Sequence, residues 1–124
     1  MIYGHGIDIV EVDRISKAIN DHSRFIQKIF TPNEVEYCES RKSSIQSYAG
    51  RFAAKEAFLK ALGTGRTGKI KSIDIEVIND DAGKPYIKLS GETLLLFKEK
   101  GLKSIILSIS HEESYAIASV ILEI

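Results

Sequence analysis

Tyr48-Ala49-Gly50-Arg51-Phe52-Ala53-Ala54-Lys55-Glu56-Ala57-Phe58-Leu59-Lys60-Ala61-Leu62-Gly63 carries the strongest helical pattern in the chain. Ala and Leu favour the helix, Phe52, Phe58, Leu59 and Leu62 give it bulk to bury, and Gly63 supplies the stop. The rest of the fold is read outward from this helix. Upstream, Thr31-Pro32-Asn33-Glu34 is a helix start, with Thr at the cap, Pro at the first position and Glu at the third, and predicts a helix to about Arg41. Ser43 to Ser47 is polar and reads as a loop or a frayed helix entry. Ile2 to Val10 reads as a strand, with Tyr3, Ile7 and Ile9 on one parity and Gly4, Gly6, Asp8 and Val10 on the other. Asp13 is a plausible cap for a helix through Ile19.

Downstream, Ile73 to Ile78 and Pro85 to Leu89 are strands around an Asn79–Lys84 turn, and Thr93 to Lys100 is a short helix ended by Gly101. Ser104 to Ser110 and Tyr115 to Leu122 are apolar strands joined at His111–Ser114 as a hairpin. The order β-α-α-α-β-β-α-β-β predicts an α+β fold with a mainly antiparallel sheet, in one domain over residues 1–124.

Seventeen basic and seventeen acidic side chains give a formal net charge of zero. The distribution is uneven. Arg41 to Lys71 holds eight basic residues and one acid, Glu56, a net of +7, so the remainder carries −7. Such asymmetry points to an anionic partner. The most apolar run, Leu94–Phe97, is far too short to span a bilayer, and the N-terminus lacks a signal-peptide pattern. A single cysteine, Cys38, in a polar helical stretch, excludes an internal disulfide and reads as an incidental thiol. The compartment expected is the reducing cytoplasm.

Gly63-Thr64-Gly65-Arg66-Thr67-Gly68 matches a dinucleotide fingerprint and, with Lys69, falls one residue short of a phosphate loop, because Ile70 stands where Ser or Thr is required. Both readings need a strand before and a helix after, the reverse of this context. What remains is a glycine loop with Arg66 and Lys69 that either cradles an anion or merely follows a helix end. Glu56 and Lys60 are four apart on one helix face, as a solvated salt pair or as a metal ligand beside a phosphate-binding cation. Asp8, flanked by Ile7 and Ile9, is a surface carboxylate by base rate; buried, it would need a partner. His111 closes a strand, and no nucleophile elbow occurs.

Two segments carry a resemblance. Gly6-Ile7-Asp8-Ile9-Val10-Glu11, and Gly50 through Gly65 with its Lys55-Glu56-Ala57 core, resemble the 4'-phosphopantetheinyl transferases, as do the Gly83-Lys84-Pro85 turn and Leu107-Ser108-Ile109-Ser110-His111. The resemblance runs over essentially the whole chain. It implies that family's fold and transfer of the 4'-phosphopantetheine arm of coenzyme A to a serine of apo acyl carrier protein. Adenosine 3',5'-bisphosphate is the other product, and fatty acid biosynthesis is the setting. It implies that Asp8 and Glu56 hold Mg2+, that Lys60 stabilises phosphate charge, and that Arg51 and His111 lie near the nucleotide. Gly63, Thr64 and Gly65 correspond to the loop on the cofactor, and Arg14 and Arg24 to contacts with the acidic carrier, although Asp21 interrupts that basic surface. The attacking serine belongs to the partner. Its base would be Glu56 or a metal-bound water, with His111 as a lesser candidate. The resemblance implies neither nucleic acid nor membrane as partner, and a homotrimer with sites between subunits.

Overall fold

A computed structural model describes residues 1–65 and 68–124. Arg66, named above for the anion loop, lies outside the described residues. The elements are β1 (Ile2–Glu11), α1 (Val12–Asp21), α2 (Phe25–Ile29), α3 (Pro32–Glu39), α4 (Ser44–Leu62), a 3-10 turn (Ser72–Asp74), β2 (Ile75–Asn79), β3 (Pro85–Leu89), α5 (Gly91–Glu99), β4 (Ser104–His111) and β5 (Tyr115–Glu123). The strands form two antiparallel sheets. One is three-stranded in the order β1-β5-β4, and the other is the β2-β3 hairpin.

Helix α4 lies across the inner face of the larger sheet. Its Ala53, Ala57, Phe58 and Leu62 pack with Leu107, Ala118, Val120 and Leu122 in one apolar cluster. Full burial of side chains such as Phe58 and Leu62 contributes roughly 1.5–3 kcal/mol each. The N-terminal half of the helix enters a second cluster through Tyr48 and Ala49, beside Phe30, Cys38 and Ile15. The contact of β1 with α4 is close because β1 carries glycine where it crosses. A Cβ on Gly6 would stand 2.0 Å from the Ala57 carbonyl oxygen, and one on Gly4 would stand 2.1 Å from that of Ala61. No side chain fits such a backbone crossing.

Several local expectations change. Of the two readings of Ser43 to Ser47, the helix entry holds, since Ser44 to Ser47 is the first turn of α4. Helix α1 starts one residue before Asp13, with Glu11 at its cap and no side-chain capping bond. The five-residue helix α2 has no signal of its own, because its Phe25, Ile26 and Ile29 are held by the second cluster. Cys38, a free thiol in a polar helical stretch, is fully buried in that cluster. Thr31 does cap α3 in a reciprocal box with Glu34. Gly63 ends α4 in the left-handed region at φ +84°.

The outer face of the large sheet is apolar and open. Ile7 and Ile9 of β1 are 52% and 62% exposed, and Ile106, Tyr115 and Ile117 are exposed beside them. Ile9 pairs directly with Ile117, so these side chains form one continuous patch on the face opposite α4.

Candidate active site

The parity of β1 turns Asp8 inward with Gly4 and Gly6, toward α4. The surface reading of Asp8 therefore gives way to the paired one. Its side chain is 15% exposed, and Lys60 Nζ donates to its Oδ1 at 3.1 Å and to the Ile7 carbonyl at 3.0 Å. Asp8 and Glu56 line one cleft, whose apolar wall includes Val10, Phe25 and Phe52 and which also takes in Arg14. Glu56 and Lys60 line an adjoining cleft with Gly63 and Gly65. Asp8, Glu56, Lys60 and the glycine loop thus meet on one flank of α4. The close crossing of Gly6 over Ala57 brings the strand carboxylate to the helix carboxylate.

Arg51 and His111 lie elsewhere. Asp8, Ala118 and Ile109 form one row across the inner face, and Val10, Ala116 and His111 the next. Asp8 is therefore on the β1 edge and His111 on the β4 edge, two strand spacings or roughly 10 Å across the sheet, with α4 between them. Arg51 and His111 line a pocket with Tyr37 and Asn79. Arg51 is 5% exposed, donates from Nη2 to Asn79 Oδ1 at 2.6 Å, and stacks its guanidinium 4.0 Å above the Tyr37 ring. Its buried Nε has no hydrogen-bond partner. A guanidinium lining a pocket beside an exposed histidine could seat an anion. His111 Nδ1 is 3.1 Å from Gln46 Oε1. A second hollow next to it is bordered by His111, Arg41 and Lys42. The basic window of the sequence thus divides, with Lys60 beside Asp8 and Glu56 on one flank of α4, Arg51 on the opposite flank, and Lys55 buried against Glu34.

Arg14 is exposed on α1 at the rim of the Asp8–Glu56 cleft. Arg24 lines a neighbouring hollow with Asp21 and Lys28, and Phe25 borders both. Thr64 is half-buried, close to the end of α4. Sequence reasoning missed Tyr37, Asn79 and the buried Glu34. Tyr37 and Asn79 had no signal, because their role depends on where Arg51 lands.

Lys55, next to Glu56, points the other way and is fully buried. Its Nζ donates to Glu34 Oε1 at 2.8 Å, to the Ser72 carbonyl at 2.9 Å and to the Ile75 carbonyl at 2.7 Å. Burial lowers its pKa from the ordinary lysine value, and the Glu34 carboxylate opposes that shift.

The donor set at Asp8 and Glu56 suits Mg2+. That ion accepts one or two carboxylates and fills the rest of its octahedron with water and phosphate oxygens. Among the described residues no group of three or more His, Cys, Asp or Glu side chains could hold a metal.

The family model for the 4'-phosphopantetheinyl transferase superfamily matches residues 4–120. The holo-[acyl-carrier-protein] synthase of Geobacter sp. (strain M21) is 51% identical over 124 residues, covering 99% of each chain. That of Halothermothrix orenii is 52% identical over 122 residues, covering 98% of this chain and 97% of its own. Among solved structures, the holo-[acyl-carrier-protein] synthase of Neisseria meningitidis superposes with a TM-score of 0.91 at 36% identity, over 99% of both chains. The Bacillus anthracis synthase in complex with CoA (3',5'-ADP) gives 0.81 at 42% identity, over 98% of this chain and 96% of that one. The Helicobacter pylori synthase in complex with coenzyme A gives 0.84 at 33% identity, over 96% and 99%.

Proposed function

The chain belongs to the 4'-phosphopantetheinyl transferase superfamily, and on that footing we propose that it moves the 4'-phosphopantetheine arm of coenzyme A onto a serine of apo acyl carrier protein. The products are holo acyl carrier protein and adenosine 3',5'-bisphosphate, and the activity serves fatty acid biosynthesis. The observation that carries this reading is the junction of Asp8, Glu56 and Lys60 beside Gly63 and Gly65. Two carboxylates, a cation and a glycine loop are the groups a pyrophosphate transfer requires.

The acceptor serine oxygen attacks the phosphorus that bears the pantetheine arm, and the bond to the adenylate phosphate oxygen breaks. Glu56 accepts the serine proton, and Lys60 meets the charge that develops on the departing phosphate. Asp8 and Glu56 would hold Mg2+, which supplies Lewis-acid stabilisation of the pyrophosphate. Arg51 and His111 seat the 3'-phosphate end of the nucleotide. Arg14 and Arg24 face the acidic carrier, with the Phe25 and Phe52 wall behind them.

The two seats lie on opposite edges of one sheet, an arrangement that supports a site shared between subunits. One subunit supplies Arg51 and His111, and its neighbour supplies Asp8, Glu56 and Lys60. The open Ile7–Ile9–Ile117 face is the surface that joins three such subunits. Among the described residues no helix is long and apolar enough to cross a membrane, and the activity is assigned to the cytoplasm.

The test is to incubate the protein with coenzyme A, Mg2+ and apo acyl carrier protein and to weigh the carrier by mass spectrometry. The carrier is expected to gain one phosphopantetheine. Release of adenosine 3',5'-bisphosphate without any carrier would instead mark a pyrophosphate hydrolase, and no turnover would mark a binding module.

A further inference from the structure

The buried pair Glu34–Lys55 takes no direct part in the chemistry above, yet it is the most completely bonded ionic group in the described residues. All three Lys55 ammonium protons are used, on Glu34 Oε1 and on the carbonyls of Ser72 and Ile75. Glu34 Oε1 also accepts from the Thr31 backbone N–H at 2.9 Å, and its Oε2 accepts from the Val77 backbone N–H at 2.9 Å. Both side chains are 0% exposed. The pair thereby ties α4 to the first turn of α3, to the 3-10 turn and to β2.

Burying two charges costs several kcal/mol per ion in desolvation, which their attraction only partly offsets. An apolar pair of the same volume would serve stability as well. What the ionic pair adds is a unique register, since one residue of slip along α4 would strand every one of these bonds. Arg51 lies one turn before Lys55 on α4, and Glu56 follows it directly. A rotation or slide of α4 would move Glu56 away from Asp8 on one flank and Arg51 away from Tyr37, Asn79 and His111 on the other. Ser72, whose carbonyl accepts from Lys55, lies two residues after Ile70, which is buried in the main core cluster.

We propose that Glu34 and Lys55 are positioning residues for the transfer reaction, fixing the rotation and axial register of α4 so that the Asp8–Glu56 seat and the Arg51–His111 seat are both formed. This inference rests on the reading of those two seats given above.

The test is the paired variant Glu34→Gln/Lys55→Met, which keeps side-chain volume and removes both charges. Its melting temperature is expected to stay near that of the parent. The half-saturating Mg2+ concentration and the KM for coenzyme A are both expected to rise, by tenfold to about a hundredfold for misplacements near 1 Å. A role in stability alone would move the melting temperature and leave both constants unchanged, and that result would overturn the proposal. Should the paired variant not fold, Glu34→Asp carries the test, because it keeps both charges but shortens the carboxylate by one methylene, so that its bonds to Lys55, Thr31 and Val77 cannot all be kept. Unchanged constants in that folded variant would equally overturn it. If the parent itself turns over without any divalent cation, the metal reading fails separately, and the inference is judged on the KM for coenzyme A through Arg51.

Discussion

Lys60 Nζ lies 3.1 Å from Asp8 Oδ1 and also takes the Ile7 carbonyl, so the cation on α4 answers the carboxylate on β1 directly. Lys60 is 57% exposed, and such a pair adds under about 1 kcal/mol to stability. In the proposed mechanism its value lies in the charge it presents to a phosphate. Lys60→Met is therefore expected to leave the melting temperature nearly unchanged while kcat/KM falls by the order of a hundredfold or more. Lys60→Arg should recover part of the loss. Steady-state kinetics beside a thermal melt separate these outcomes, and an unimpaired Lys60→Met protein would remove Lys60 from the phosphate-stabilising role.

Glu56→Ala and Asp8→Asn each remove one of the two carboxylates proposed to hold Mg2+. Glu56 is only half-buried at a cleft rim, so the fold should persist. Mg2+-dependent turnover is expected to fall by at least a few hundredfold, with Glu56→Ala the more severe because it also removes the proposed base. Titration of activity against Mg2+ checks this. For Asp8→Asn the half-saturating concentration should rise, and an unshifted curve would place the metal elsewhere.

Gly6→Ala should behave as a stability variant despite lying next to the site. Its methyl would meet the Ala57 carbonyl oxygen at 2.0 Å and the Ala61 nitrogen at 2.6 Å, both backbone atoms of α4. Separating β1 from α4 costs about 1–3 kcal/mol or more, a melting temperature lower by at least about 5 °C. Gly65→Ala has open space around its Cβ and only the cost of a left-handed φ of +62°, so thermal unfolding should rank it well above Gly6→Ala.

Burial pushes the Cys38 thiol up from 9.0 to about 12, with Arg51 only partly opposing the shift. The Tyr48 hydroxyl is raised as well, by burial first and then by its bond to Glu39. Both groups keep their protons in the folded state where the unfolded chain loses them. The stability they supply is full below about pH 9 and is lost as the pH rises toward 12. Lys55, lowered mainly by burial, acts in the opposite sense as the pH approaches 10.5. Chemical denaturation between pH 9 and 11 should show a falling free energy, and Cys38→Ala should flatten that fall by up to about 1.4 kcal/mol per pH unit. An equal slope in the two proteins would contradict the assignment to Cys38.

Much of the fold was written in local pattern. The Thr31–Glu34 box, the α4 run ending at Gly63 and the alternation of β2 each report their own neighbours, and each element formed close to where its pattern placed it. Short α2 did not announce itself, since it exists through Phe25 and Ile26 meeting Ile15 and Phe52 from elsewhere in the chain. The site was legible in part for the same reason. Glu56 and Lys60 share a helix face and are found by counting, whereas the contact of Asp8 with Lys60 spans 52 residues and depends on two glycines that let a strand touch a helix. Glu34 was readable as a capping residue, but its bond to Lys55 crosses 21 residues and leaves no periodic trace.

The separation of Arg51 and His111 from Asp8 and Glu56 on opposite edges of the sheet leads to a test of shared sites. Arg51→Ala and Glu56→Ala are each expected to be nearly inactive alone. In a trimer with sites between subunits, a mixture unfolded and refolded together at equal amounts contains junctions that join an intact Arg51 from one variant to an intact Glu56 from the other. Random assembly makes about a quarter of all junctions of that kind, so about a quarter of the parent activity should return. A site built within one subunit could never be restored by mixing, because every subunit would carry one lesion. Ile9→Lys, which puts a charge on the apolar outer face, should dissociate the assembly in light scattering. It should abolish turnover even though Asp8, Glu56 and Lys60 are untouched, and no recovery in the mixture would show that both seats serve a single subunit.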